Sequence, residues 1–195
     1  MQIKSTVFLF FLLLGCLGVH SQRLDFFRED LTFQIDSTYF TVSGQYYFRN
    51  NTSSQQRNLI SYPLPRLTDG SLFDTIMVFS EENPATPLEL HFQDTLVSFS
   101  IGVEPGSEKQ ITIFYSQRHN GNYAKYILTT TKYWGKPLQL AEFKLVVPEY
   151  INIKSCFEPP DKISVFDDTS IYRWTRRNFM PAKDFEIRFE IIPKP

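Results

Sequence analysis

From Leu24 onward, apolar and polar residues alternate with a period of two, broken by Pro, Gly, Asn and Asp, and no long 3.6-residue period competes with it. Successive strand side chains point to opposite faces, so this pattern predicts strands that each bury one face. Leu31, Phe33 and Ile35 form an inward row, Asp36-Ser37 turns the chain, and Phe40, Val42, Tyr46 and Phe48 share one face of a strand over 39–49. Asn50-Asn51-Thr52-Ser53-Ser54 reads as a polar loop. A strand over 58–62 ends at Pro63-Leu64-Pro65, because proline cannot donate to a ladder. Asp69-Gly70 marks a turn, and shorter strands are expected over 74–80 and 88–92.

Val97, Phe99, Ile101 and Val103 alternate cleanly up to Glu104-Pro105-Gly106-Ser107, which has Pro and Gly at the two central positions of a type II turn. Ile111, Ile113 and Tyr115 alternate back, and Asn120-Gly121 signals a hairpin into 123–131, so three consecutive strands are expected to form a meander. After a loop over 132–139, Phe143, Leu145 and Val147 form one row and Ile151 and Ile153 another. Strands over 163–166, 172–177 and 185–191 complete the chain. About a dozen short strands at this spacing predict an all-β fold, a single antiparallel β-sandwich that is immunoglobulin-like in the broad sense. No internal repeat or linker divides residues 22–195, so they read as one domain.

The first 21 residues differ from the rest. Lys4 is a positive n-region, the residues from Val7 to Leu14 form an unbroken apolar run, and Val19-His20-Ser21 is a small-x-small cleavage pattern before Gln22. The run is too short for a membrane-spanning helix, which takes about 20 residues. This layout predicts a secreted or periplasmic protein with no transmembrane span. Leu13-Leu14-Gly15-Cys16 offers an alternative, because it resembles the bacterial lipobox and would place a lipid anchor on Cys16. With the signal removed, Cys156 is the only thiol, so the fold is held by its core and not by disulfides.

Composition supports strands: 19 Phe, 10 Tyr and 2 Trp stand against 4 Ala. Lys plus Arg is 20 and Asp plus Glu is 21, a balance that gives no nucleic-acid footprint. Arg173, Arg176 and Arg177 beside Trp174 read as a solvated strand edge rather than a polyanion site. Candidate chemistry is sparse. His91 and His119 lack metal-type spacing and are expected to face solvent, and Cys156 has no activating signature. Asp69 with Asp74, and Asp167 with Asp168, read as turn formers, since no EF-hand pattern surrounds them. Neither a phosphate loop nor a Gly-x-Ser-x-Gly elbow occurs, so no enzyme and no cofactor is expected.

Three stretches together resemble a secreted bacterial family known as domain of unknown function 4424. They are Tyr46-Tyr47-Phe48-Arg49-Asn50 leading to Tyr62-Pro63-Leu64-Pro65; Tyr126-Ile127-Leu128-Thr129-Thr130 followed by Trp134-Gly135-Lys136-Pro137; and Ser155-Cys156-Phe157 with the closing Asn178-Phe179-Met180-Pro181-Ala182-Lys183-Asp184. The chain is shorter than family members, and it has Gly-Lys-Pro after the tryptophan where they tend to have glycine directly before proline. The resemblance implies an extracytoplasmic β domain and transfers no catalytic residue. Overlapping glycosylation sequons at Asn50 and Asn51 matter only in a eukaryotic chain, and the resemblance implies a bacterial one.

The aromatic excess is the remaining functional lead. Tyr133 and Trp134 fall in a proline-bounded loop, and Trp174 lies among arginines, so these three rings are the candidate ligand or partner contacts. The reading of the whole is an exported, non-enzymatic protein-binding or assembly module of the cell envelope. The alternative is a glycan-binding module using the loop aromatics, and a hydrolase is a more distant one. The partner is expected to be an envelope or extracellular protein or glycan. Intact mass of the exported protein checks the first step: an N-terminus at Gln22 is expected, and a lipidated Cys16 would replace it with a membrane-anchored form.

Overall fold

The computed structural model describes residues 24–66, 73–119 and 121–192. The signal segment with Cys16, the Asp69-Gly70 turn and Asn120 of the hairpin signal lie outside them. The described residues form thirteen strands: β1 (Asp25–Ile35), β2 (Tyr39–Arg49), β3 (Gln56–Pro63), β4 (Thr75–Ser80), β5 (His91–Gln93), β6 (Leu96–Val103), β7 (Glu108–Arg118), β8 (Tyr123–Tyr126), β9 (Leu138–Pro148), β10 (Ile151–Cys156), β11 (Lys162–Phe166), β12 (Thr169–Phe179) and β13 (Phe185–Ile191). One 3₁₀ turn, Thr129–Trp134, precedes β9. The fold is all-β, as the alternation predicts.

The strands assemble into three sheets. Seven strands run β11-β12-β9-β1-β2-β7-β4, and two three-stranded sheets run β10-β13-β8 and β3-β6-β5. Apolar rows of the large sheet meet rows of both small ones: Phe33 on β1 stacks on Phe185 of β13 at 4.3 Å, and Tyr46 on β2 meets Tyr62 of β3 edge-on at 5.9 Å. Regular alternation produces these rows. On β13, Phe185, Ile187 and Phe189 are buried while Glu186, Arg188 and Glu190 are exposed.

Several expectations are corrected. The large sheet is mixed, not antiparallel, because β1 pairs parallel with β9 from Arg28↔Leu140 to Gln34↔Val146. A period of two is the same in either orientation, so periodicity carries no information about strand direction. The expected meander is absent: β6, β7 and β8 go to three different sheets. Both edges of β7 are occupied, by β2 along its whole length and by β4, which leaves none for β6. The turn itself forms as predicted, with Ser107 N donating to Glu104 O at 3.2 Å and Gly106 at φ 66°. Asn50 directs it between sheets: its buried Nδ2 donates to Val103 O at the end of β6, and its backbone N donates to Ser107 O. The strand expected over 123–131 stops at Tyr126 and continues as the 3₁₀ turn, and that over 88–92 shrinks to His91–Gln93.

Trp174 leaves the surface altogether. It lies 1% exposed on the inner face of β12, its Nε1 donates to Glu158 O at 3.0 Å, and its ring meets Phe185 edge-on at 5.2 Å. It is therefore a core residue and presents no ring to a ligand. Truncation of so large a buried side chain leaves a cavity, so Trp174→Ala is expected to cost about 3–5 kcal/mol of unfolding free energy, measured by urea denaturation.

Candidate functional site

The site begins with a kink in β1. Pairing with β2 runs Phe26↔Phe48 and then Arg28↔Tyr47, so Phe27 is an extra residue, a β-bulge. One extra residue reverses which face later side chains take. Leu24 and Phe26 are buried before it, and Glu29, Leu31, Phe33 and Ile35 are buried after it. The bulge thus places a carboxyl group in an apolar row. Glu29 Oε1 has no hydrogen-bond partner, and burial, with a smaller contribution from Asp30, pushes the carboxyl up to about 8.

Directly across the ladder from Glu29 stands Tyr46. Its Oη lies 2.7 Å from Tyr126 Oη on β8 and 3.1 Å from Tyr62 Oη on β3, with all three groups buried. Burial raises each phenol well above its ordinary value, so all remain neutral. The Tyr46 ring folds back over Gly44, where an added Cβ would sit 2.5 Å from Tyr46 Oη. Only glycine leaves space for that ring position.

Around these groups lies a cavity of ≈ 50 Å³, walled by Phe26, Phe48, Tyr62, Tyr126 and Trp134, with Glu29 among its lining residues. It adjoins a surface groove of ≈ 450 Å³ formed by Asn58, Leu59, Leu96 and Tyr133, and the two share Ser61, Pro63, Thr130 and Trp134. The groove runs between the outer face of β3 and β6 and the 3₁₀ turn. Asp184 holds that turn in place: it accepts from Leu128 N, Thr129 N and Thr129 Oγ1, and Lys125 Nζ lies 2.7 Å away. Gly135 ends the turn at φ 75°.

The structure separates the three ring candidates. Tyr133 is 70% exposed on the groove, with Lys132 Nζ 5.3 Å from its centroid. Trp134 is half-buried, 5.5 Å from Phe26 and 5.4 Å from Phe48, so the loop over 132–139 does contribute to packing. Trp174 is remote from both, in the core described above. Glu29 was missed, although extending the Leu31, Phe33, Ile35 row back by two residues places it inward.

The other reactive types are occupied or isolated. Burial pushes the Cys156 thiol up to about 11, which keeps it protonated at neutral pH. His91 is exposed as expected, but His119 is a turn staple. Its Nδ1 accepts from Gly121 N at 3.0 Å, which leaves Nε2 to donate to Asp36 O at 2.8 Å. Asp167 takes φ 48° in the turn between β11 and β12. Arg176 is paired with Glu158 and Asp161. Among the described residues no group of three His, Cys, Asp or Glu could hold a metal ion, and no helix is long and apolar enough to cross a membrane.

No protein-family model and no curated protein sequence matches the chain, so the resemblance to domain of unknown function 4424 rests on its motifs. Similar folds occur among solved structures. A Legionella pneumophila protein described as a candidate nutrient-binding protein superposes with a TM-score of 0.70 at 12% identity, over 86% of this chain and 67% of that one. A point mutant of the M1 zinc metallopeptidase from Deinococcus radiodurans gives 0.52 at 11% identity, over 85% of this chain. This chain spans 42% of the peptidase's length. At such identities the likeness is one of fold.

The anchor of the turn titrates. Burial acts to raise the Asp184 carboxyl, but its hydrogen bonds from Lys125 and Thr129 outweigh that and hold it below the usual range. Its stabilising contribution is therefore present above the unfolded value, about 3.9, and is lost as pH falls through the lower folded value. In a Trp174→Phe background, Trp134 fluorescence is expected to change on acidification below pH ~4. Asp184→Asn should remove that step and show the changed signal already at pH 7. An acid step of undiminished size in that variant would dissociate the turn from Asp184.

Proposed function

We propose that this chain is an exported, non-enzymatic binding module, a broadly immunoglobulin-like β-sandwich of the cell envelope or extracellular space, with its ligand site at the groove between β3, β6 and the Tyr133–Trp134 turn. The observation that carries this reading is the adjacency of an apolar groove and a polar-lined cavity, which share four wall residues. Concave, mostly apolar sites with a few polar groups are the usual form of small-ligand sites. Leu59, Leu96 and Tyr133 supply exposed apolar surface there. The cavity lining holds a single carboxyl and no His, Cys, Lys or Arg, so neither a carboxylate pair nor a nucleophile–histidine pair converges there, and we read the arrangement as a binding site. The description of the Legionella protein agrees in kind with a small-ligand role.

A second reading, glycan binding, is favoured by the Tyr133 ring alone, an exposed face on which a sugar could stack. Thermal-shift screening of the purified protein against small metabolites and oligosaccharides separates the two. Stabilisation by at least one compound is expected, and it should vanish in Tyr133→Ala, whose own melting temperature should stay within the small range of surface substitutions. Responses to oligosaccharides alone select the glycan reading. A response that persists unchanged in Tyr133→Ala removes the groove from either.

A further inference from the structure

Glu29 is an unusual residue to find where it is. A buried carboxyl oxygen without a partner is costly, and the protein supplies no cation to offset it, since no Lys, Arg or His lines the cavity. Aromatic rings share the lining with Ile60, Ile111, Ile113 and Ile127. Phe26, Phe48, Tyr46, Tyr62, Tyr126 and Trp134 contribute to the walls, and the electron-rich faces of such rings attract cations, most strongly where water is displaced. An anion would meet a carboxyl group and phenolic oxygens. An inorganic divalent ion would want several charged oxygen ligands, and Glu29 is the only carboxyl present. The cavity, at ≈ 50 Å³, has space for more than one water but not for a whole metabolite.

We propose that this cavity receives the ammonium head of an organic cation, a methylated or quaternary amine, with Glu29 as its counter-charge and the aromatic walls as its cage, while the apolar remainder of the ligand lies in the groove beside Leu59, Leu96 and Tyr133. This rests on the groove reading above and names its ligand class. The unpartnered oxygen, the aromatic walls and the adjoining apolar groove are each explained by one molecule with a positive head and a hydrocarbon tail. Neutral phenols cannot neutralise that head, so the charge must come from Glu29.

Binding then releases a proton. Burial holds the proton on Glu29 up to about pH 8, and a cation seated beside it draws the proton off. Of the groups around it, Tyr46, Tyr62, Tyr126 and Tyr115 are all raised above their ordinary values, and Asp30, next on the strand and paired with Arg28 at 2.7 Å, acts in the same direction as burial on Glu29. Affinity should accordingly rise with pH between 6 and about 8 and level off above.

Isothermal titration of the purified protein with hexyltrimethylammonium, 1-hexanol and hexanoate, in two buffers of different ionisation enthalpy, tests this. The cation is expected to bind most tightly, with a buffer-dependent heat that reports proton release at pH 7. Glu29→Gln, which mimics the neutral acid and keeps the fold, should weaken the cation at least about tenfold at pH 8.5 and remove the pH dependence. Hexanol binding should be unaffected by that substitution. Equal affinity for cation and alcohol, or a Glu29→Gln variant that binds the cation undiminished, overturns the cage while leaving the groove intact. Absence of binding by all three probes overturns both.

Discussion

Three phenolic hydroxyls hold together parts of the chain that no backbone ladder connects. Tyr46 belongs to the seven-stranded sheet, Tyr62 to the sheet of β3, β6 and β5, and Tyr126 to that of β10, β13 and β8. A hydroxyl buried without a partner costs about 1–3 kcal/mol, whereas a satisfied bond contributes about 1. Each phenol here therefore makes the position of another sheet necessary rather than merely favourable. Tyr46 is central, since it contacts both others. Gly44 permits this by giving up its side chain to the Tyr46 ring, so a residue that looks like a weak point in β2 is what lets the three sheets meet.

The bulge at Phe27 has a comparable reach. Without the extra residue, the inward row that contains Leu24 and Phe26 would continue through Arg28 and Asp30, and Leu31, Phe33 and Ile35 would face solvent. The bulge reconciles two rows of opposite phase and turns Glu29 inward as a by-product. Arg28 and Asp30 stay outside and pair with each other. The destabilising carboxyl and the correctly phased core thus have one cause. Its cost is lessened because the group holds its proton, which converts a buried charge into a buried polar group.

Much of this was legible in the residues. The rows of Phe40, Val42, Tyr46 and Phe48, of Val97 to Val103, and of Phe185 to Phe189 all lie where alternation put them, because burial of one strand face is a local property. Partner choice is not local. The parallel pairing of β1 with β9 and the dispersal of β6, β7 and β8 depend on which ladder edges are already taken. Rings divide on the same principle. Trp174 and Trp134 are equally apolar in sequence, but one lies on an interior strand of the large sheet and the other on a short turn beside its first residues. Tyr133, whose neighbour packs, points away. Glu29 was legible in phase and was obscured by its type, since a glutamate is normally read as a surface residue.

The elements that stabilise the fold are therefore those that shape the cavity. Tyr46, Tyr62 and Tyr126 join the sheets and also line it, and Trp134 packs on Phe26 and Phe48 while forming the wall it shares with the groove. Such a site resists change at its floor, because each floor residue is tied to a neighbouring sheet. It is freer at its rim, where Leu59, Leu96 and Tyr133 are exposed. The one wall that is not built from a strand is the segment of the 3₁₀ turn, which Asp184 fixes through a side chain rather than through a ladder. A chain that needed to admit a ligand without unlocking its sheets would have this wall to move and little else, since the remaining walls are strands hydrogen-bonded along their length.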